Sequence, residues 1–155
     1  MAGYGAKADR ALDLWVKLAR ASATLARRTE EQIRKSGLTS PQFGVLECLG
    51  HKGPLTFREL SAKQLVTSGN MTVVVDNLVK EELVERSPCE TDRRQIYVTL
   101  TPKGRRLFEE IFPPHAALVA RLVSVLTPDE QVQLSELLKK LGTGVLASRR
   151  ECGEA

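Results

Sequence analysis

The middle of this 155-residue chain is compatible with few folds, because two short helices with clear start signals lead directly into a charged hairpin. Thr56 and Glu59 form a capping box, in which hydroxyl and carboxylate each satisfy a backbone amide at a helix start. A second helix is predicted over residues 67–82, followed by an alternating, β-branched strand over residues 96–100. Helix, turn, helix and hairpin in this order predict a winged helix-turn-helix over about residues 38–100.

Long amphipathic helices are predicted on both sides of this lobe. Over about residues 8–36 and 102–148, apolar residues recur at spacings of three and four, which is typical of helices. The second segment contains the pair Pro113-Pro114, where we expect a kink or a break, and a second capping box that starts at Thr127. Both segments carry more apolar surface than one small lobe can cover, so we predict pairing with a second copy, a homodimer.

These elements predict a mainly α fold with a small β-hairpin wing. The architecture is a winged helix-turn-helix with N- and C-terminal dimerisation helices, forming a single domain over residues 1–155. Hydrophobic residues make up 42% and charged residues 27% of the chain, which excludes wholesale disorder. No apolar stretch reaches the roughly 18 residues of a membrane span, so no membrane partner is expected. The net charge of +4 is compatible with nucleic-acid binding.

The second helix of the lobe begins with small hydrogen-bonding side chains of the kind that fit the DNA major groove. The amide of Asn70 can bond both groove-facing positions of adenine, and Val73 can contact a thymine methyl. Free backbone amides at a helix start also favour a phosphate. A simpler alternative for Thr67 or Ser68 is that it serves only as the N-cap. The predicted DNA contacts of this helix are Thr67, Ser68, Asn70, Thr72 and Val73.

The hairpin tip carries the second set of candidate DNA contacts, Asp92, Arg93 and Arg94. An arginine on an exposed loop can enter the minor groove and sense its narrow, negative channel. Asp92 would orient an arginine there through a charge-assisted hydrogen bond. The alternative is a solvated charged turn without a DNA contact.

The run over residues 92–104, of the form D-x-R-x-x-x-V-x-L-T-x-x-G, together with residues 38–49 and 59–78, resembles the MarR family of bacterial transcriptional regulators. The resemblance covers nearly the whole chain. It implies a homodimer with interlocking terminal helices, whose two winged lobes straddle a pseudopalindromic operator in double-stranded DNA. It implies that the helix with Asn70 reads the major groove, while Arg94 reaches the minor groove. The implied function is a ligand-responsive repressor in a bacterial or archaeal cytoplasm.

Family members respond to small aromatic anions, to oxidants through cysteine, or to zinc. The candidate residues in this sequence differ for the three kinds of signal. For an aromatic effector, the resemblance implies a pocket where the dimer helices meet the DNA-binding lobe. The candidate lining residues, for each of which ordinary core packing is the alternative, are Trp15, Phe43, Leu46, Phe108 and Phe112. For redox sensing the candidate is Cys89, because it lies near the arginines of the hairpin tip. His51 and His115 are far apart in sequence, so no metal site and no cofactor are predicted.

Two other classes of function compete with DNA binding. An enzyme is not predicted, because the sequence has no phosphate-binding glycine loop, no Gly-x-Ser-x-Gly and no His-Glu-x-x-His. The stronger rival is a winged-helix module that binds protein instead of DNA. Such a module would keep the same core and would show neither an operator preference nor a steep salt dependence.

Overall fold

The computed structural model describes residues 3–64, 68–88 and 96–151, with the backbone alone described for residues 68 and 146–151. Within these ranges the chain forms helices and a small sheet, which confirms the mainly α fold with a β wing. The elements are, in order, α1 (Ala6–Lys35), α2 (Ser40–Lys52), β1 (Leu55–Thr56), α3 (Phe57–Gln64), α4 (Ser68–Lys80), β2 (Val84–Pro88), β3 (Ile96–Leu100), α5 (Pro102–Val123) and α6 (Pro128–Glu151). By their contacts they fall into two compact units, Met1–Ala117 and Leu118–Ala155. That residues 1–155 act as a single domain stays a prediction.

The starts of α2, α3 and α6 are fixed by capping boxes, in which Thr39, Thr56 and Thr127 pair with the residue three positions on. In α3 the Thr56 amide and hydroxyl each donate to Glu59 Oε2 over 2.8 Å, and the Glu59 amide donates to Thr56 Oγ1 over 3.3 Å. The bond from the backbone amide, followed by the bond from the hydroxyl, lowers the pKa of Glu59 because both stabilise the ionised carboxylate. These boxes therefore confirm the predicted starts of α3 and α6.

Thr56→Ala is expected to lower the free energy of unfolding by about 1 kcal/mol, because it removes the hydroxyl that accepts from the Glu59 amide. The pKa of Glu59 is lowered in the folded protein, so the stabilisation by its carboxylate is present above the unfolded pKa. That stabilisation is lost as the pH falls through the folded pKa. We therefore expect the difference between variant and wild type in urea unfolding to be larger at neutral pH than at about pH 3.

Ser61→Ala in the same helix is the matched control for the loss of a hydroxyl. The Ser61 hydroxyl is buried and has no hydrogen-bond partner among the described residues. Its removal is therefore expected to be neutral or slightly stabilising. Equal destabilisation by both variants would contradict the assignment of the effect to the cap.

The hydrophobic core lies in the unit Met1–Ala117 and joins all the elements of the lobe. Leu46 of α2, Leu60 of α3, Met71 of α4 and Val98 of β3 are fully buried. The remaining core residues are Ile33, Leu38, Phe43, Val45, Leu49, Leu55, Val75, Leu78, Leu83, Val84 and Ile111. Because α4 contributes Met71, Val75 and Leu78 from one face, its opposite face is left on the surface.

The sheet has three strands among the described residues, one more than the hairpin that the sequence predicts. The order is β1-β3-β2, with β3 antiparallel to both neighbours. Strand β1 pairs Leu55 with Val98 and Thr56 with Tyr97. It was missed because two residues are too short to show an alternating pattern. Its pairing fixes the start of α3 against β3, the middle strand of the sheet.

Helix α5 continues through Pro113 and Pro114, so of the expected kink or break the break does not occur, and the kink stays a prediction. The two prolines lack the amide protons that would bond the carbonyls of Glu109 and Glu110. All four residues are exposed, which leaves both carbonyls on a side of the helix where water can bond them. The exposed position is the physical reason why the helix tolerates the pair.

The terminal helices expose large apolar side chains, as the sequence predicts. In α1 only Ile33 is buried, and Trp15 is 65% exposed. Further exposed apolar residues of α1 and α6 are Leu12, Leu14, Val16, Leu25, Val132, Leu134, Leu137, Leu138, Leu141 and Val145. Among the described residues no single helix is both long and apolar enough to cross a membrane, and only the bent pair α5 and α6 together meets that test, by length and composition alone.

Candidate nucleic-acid interface

Helices α3 and α4 form the two helices of the predicted helix-turn-helix. Leu60 fixes α3 in the core, and Met71, Val75 and Leu78 fix one face of α4. The residues between the two helices, 65–67, lie outside the described residues, as does the predicted contact Thr67. The packing determines which side of α4 a ligand can reach.

The exposed face of α4 carries the side chains predicted to read DNA. Asn70, Thr72 and Val73 are exposed, with Val73 at 60%, and Asn77 follows on the same side. Ser68 is the first residue of the helix. Amide, hydroxyl and methyl groups at the start of an exposed helix suit the edges of base pairs in a major groove. The structure therefore places Asn70, Thr72 and Val73 where direct contact is sterically open, and the contact itself stays a prediction.

The wing consists of β2 and β3, and its strands are in register from Val84 opposite Leu100 to Pro88 opposite Ile96. The tip that connects them carries the other predicted contacts. Asp92, Arg93, Arg94 and the redox candidate Cys89 lie outside the described residues. Their roles stay predictions.

The turn between α4 and β2 is closed by bonds that sequence reasoning did not identify. Glu82 has a positive φ of 59°, and the amide of Leu83 donates to the carbonyl of Leu78 over 2.9 Å. Thr101 Oγ1 donates to the Glu82 carbonyl over 2.7 Å, and Lys103 Nζ donates to the Glu81 carbonyl over 2.7 Å. The segment before and at the start of α5 thus holds the end of α4. The sequence signal for this contact was the L-T-x-x-G part of the motif.

A second contact links α4 directly to the wing. Asp76 of α4 forms an ion pair with Arg86 of β2. The Arg86 guanidinium also lies 5.2 Å from the ring centroid of Phe57, the first residue of α3. One arginine therefore joins both helices of the helix-turn-helix to the first strand of the wing.

Most of the predicted effector residues lie in the core or in a cluster of aromatic rings. Phe43 and Leu46 are buried. The ring of Phe43 lies 4.5 Å from that of His115, and the ring of Phe112 lies 4.4 Å from that of His51 and 5.2 Å from that of Phe108. Ordinary packing accounts for the positions of four predicted effector residues, Phe43, Leu46, Phe108 and Phe112. The fifth, Trp15, is exposed on α1. Effector binding by Trp15, Phe43, Leu46, Phe108 and Phe112 stays a prediction.

The described thiol and imidazole groups do not form a metal site. Across residues 3–64, 68–88 and 96–151, no group of three or more His, Cys, Asp or Glu side chains is placed to hold a metal ion. Cys48 is half-buried, and Gln64 Nε2 donates to its sulfur over 3.2 Å. His115 Nδ1 lies 3.0 Å from Gln32 Oε1.

Comparison with known proteins identifies relatives across most of the chain. The profile of the MarR family matches residues 38–96. The HTH-type transcriptional regulator MhqR of Bacillus subtilis is 38% identical over 134 residues, which are 86% of this chain and 92% of that protein. A mutant MarR from E. coli, crystallised with operator DNA, is 29% identical with a TM-score of 0.76, covering 86% of this chain and 96% of that one. BpsR of Bordetella bronchiseptica, whose DNA binding is regulated by 6-hydroxynicotinic acid, is 29% identical with a TM-score of 0.75, covering 84% and 98%.

Proposed function

This chain belongs to the MarR family of transcriptional regulators, and from that premise we propose that its homodimer binds a pseudopalindromic operator and releases it on binding a small aromatic effector. The family regulates transcription and catalyses no reaction, in agreement with the prediction of a non-enzyme. We assign it a bacterial cytoplasmic location, on the nucleoid when bound. The function is that of a sequence-specific DNA-binding regulator acting as a repressor.

The observation that carries this proposal is the exposed polar start of α4, set on a buried apolar face. Asn70, Thr72 and Val73 are exposed, whereas Met71 and Val75 on the opposite side are fully buried. A helix held in this way presents fixed side chains to the major groove. The wing begins directly after this helix, so a second contact with the same duplex is within reach.

The homodimer is supported by the apolar side chains that α1 and α6 leave exposed. Exposed leucine and valine side chains recur along both helices, and Trp15 is exposed on α1. Isolated apolar residues on a surface are ordinary, but continuous faces of this kind mark an interface. An obligate dimer interface commonly buries more than about 2,000 Å². A two-fold dimer would present two copies of α4 to the two half-sites of an operator.

The aromatic effector is proposed from the relatives and from the ring cluster between α2 and α5. Phe43, His51, Phe108, Phe112 and His115 contact one another through their rings. A flat aromatic ligand could replace one of these rings if the cluster opened, and the imidazoles would supply polar partners. Redox control through Cys89 and a protein-binding role without DNA are the alternatives.

Selection of DNA from a pool of randomised duplexes of about 30 base pairs tests the proposed function. The purified chain is expected to enrich a pseudopalindrome whose half-sites are about one helical turn apart, because a two-fold dimer recognises its site symmetrically. Sedimentation of the protein without DNA is expected to give the mass of two chains. A monomer, or a pool that stays random after selection, would contradict the proposal.

Arg94→Ala is expected to weaken binding to the selected duplex. It is also expected to make the fall of log affinity with log salt concentration less steep. Without the Arg94 guanidinium, the bound protein neutralises less of the phosphate charge along the minor groove, so fewer counterions leave the DNA on binding. Fluorescence anisotropy at several salt concentrations measures both quantities. An unchanged affinity and an unchanged slope would remove Arg94 from the interface.

A further inference from the structure

We propose that the contact of Asp76 with Arg86 and Phe57 is a positioning device that fixes the wing relative to the recognition helix α4. It thereby sets the affinity for the operator, and in this respect it rests on the proposed function. Neither acid nor arginine need touch DNA for this role. Helix α4, through Asp76, and helix α3, through Phe57, both contact one guanidinium of β2.

Arg86 of β2 contacts both helices of the helix-turn-helix through its guanidinium. Asp76 is in α4, one helical turn after the exposed Thr72, and pairs with Arg86 of β2. Arg86 stands opposite Val98 in the register of the wing, and Val98 is fully buried in the core. The guanidinium lies over the ring of Phe57 at 5.2 Å. A movement of the wing relative to α4 would therefore have to break the ion pair, and a movement relative to α3 would have to break the cation–π contact.

The exposure of the pair is intermediate, at 34% for the Arg86 side chain and 43% for that of Asp76. An exposed ion pair by itself contributes little to folding. Its value here lies in geometry, because a planar guanidinium held by a carboxylate on one side and a ring on another has few orientations left. The pair is thus suited to fix an angle more than to stabilise the fold.

The direction in which Asp76→Asn changes the affinity for DNA distinguishes a positioning role of Asp76 from an effect of its charge alone. If Asp76 acted only through its charge, Asp76→Asn would strengthen DNA binding, because a carboxylate beside the groove repels phosphates. It would also free Arg86 to contact a phosphate. If the pair positions the wing, Asp76→Asn weakens binding although the protein has become more positive.

The experiment measures anisotropy of a labelled duplex selected by the wild-type protein, with Asp76→Asn, Arg86→Ala and the double variant. We expect each single variant to bind about 5- to 20-fold more weakly, since both protomers lose the contact. The double variant should match the single ones, because it removes the same contact. Glu85→Gln is the matched control, an exposed acid on the same strand, and is expected to bind as tightly as wild type or slightly more tightly.

Hydrogen exchange without DNA provides the second readout. Asp76→Asn and Arg86→Ala are expected to speed exchange of the amides of β2 and β3, while Glu85→Gln leaves them unchanged. The thermal midpoint should shift by only a few degrees, which excludes unfolding as the cause. Tighter binding by Asp76→Asn, or unchanged exchange in the wing, would overturn the proposal. A wild type that selects no duplex would instead refute the proposed function, and the exchange measurement would still test the contact.

Discussion

Gly104→Ala is expected to lower the free energy of unfolding by about 2–4 kcal/mol, although alanine is the better helix former. A methyl group at position 104 would stand 1.9 Å from the carbonyl oxygen of Leu83 and 2.9 Å from its carbonyl carbon. Both are backbone atoms, so no side chain can rotate away. The Leu83 oxygen also accepts from the Thr101 amide over 3.1 Å, and the Gly104 amide donates to Thr101 Oγ1 over 3.0 Å. The start of α5 would have to separate from the turn between α4 and β2.

Thermal unfolding at fixed protein concentration measures this effect, with an expected fall in Tm of about 5–15 °C. Gly69→Ala is the matched control, since a methyl group there would meet no atom of the described residues within 4 Å. That variant is expected to be neutral or slightly stabilising, because the helix gains a better former. Equal midpoints for the two variants would show that the close approach of α5 to Leu83 does not require glycine.

Asn70→Ala is expected to weaken binding to the selected duplex by about 10- to 100-fold and to leave binding to a scrambled duplex nearly unchanged. A bidentate contact between an amide and adenine contributes about 1–3 kcal/mol of discrimination, and a dimer makes the contact twice. Binding to the scrambled duplex depends mainly on phosphate contacts, which an uncharged side chain affects little. The ratio of the two affinities is therefore the quantity that should fall.

Asn77→Ala is the matched control for the same side-chain change. Asn77 is exposed on the same side of α4 but lies two turns further from its start, where we expect a solvated side chain. The variant should keep both the affinity and the preference of the wild type. If Asn77→Ala lost the preference and Asn70→Ala kept it, the base-reading position would have been assigned to the wrong turn of the helix.

The sequence predicted those parts of the fold that local signals determine. The start of α3 could be placed because Thr56 and Glu59 satisfy each other's amides within one turn. The spacing of Met71, Val74, Val75 and Leu78 is typical of one apolar helix face, and the structure buries Met71, Val75 and Leu78 on that face of α4. A capping hydrogen bond and an apolar helix face both involve residues three or four positions apart, so a single sequence is enough to predict them.

The parts that were missed depend on contacts between distant segments. Nothing near Arg86 in sequence indicates that its guanidinium meets Asp76 and Phe57. Strand β1 exists because Leu55 pairs with Val98, a residue from the other side of the lobe. The prolines of α5 looked like a break because a single sequence does not show which side of a helix water reaches. The roles of the wing tip and of the effector residues stay predictions.

The most direct test of the central claim is the salt dependence of affinity for the selected duplex and for a scrambled one. If α4 and the wing of a dimer bind one stretch of double-stranded DNA, the selected duplex should bind at least about a thousandfold more tightly. For both duplexes, the logarithm of the affinity should then fall linearly with the logarithm of the salt concentration. The slope depends on the number of phosphates that the protein contacts. If the two duplexes bound with equal affinity, and if that affinity did not change with salt concentration, the claim of sequence-specific DNA binding would be contradicted. That result would favour a module that binds protein.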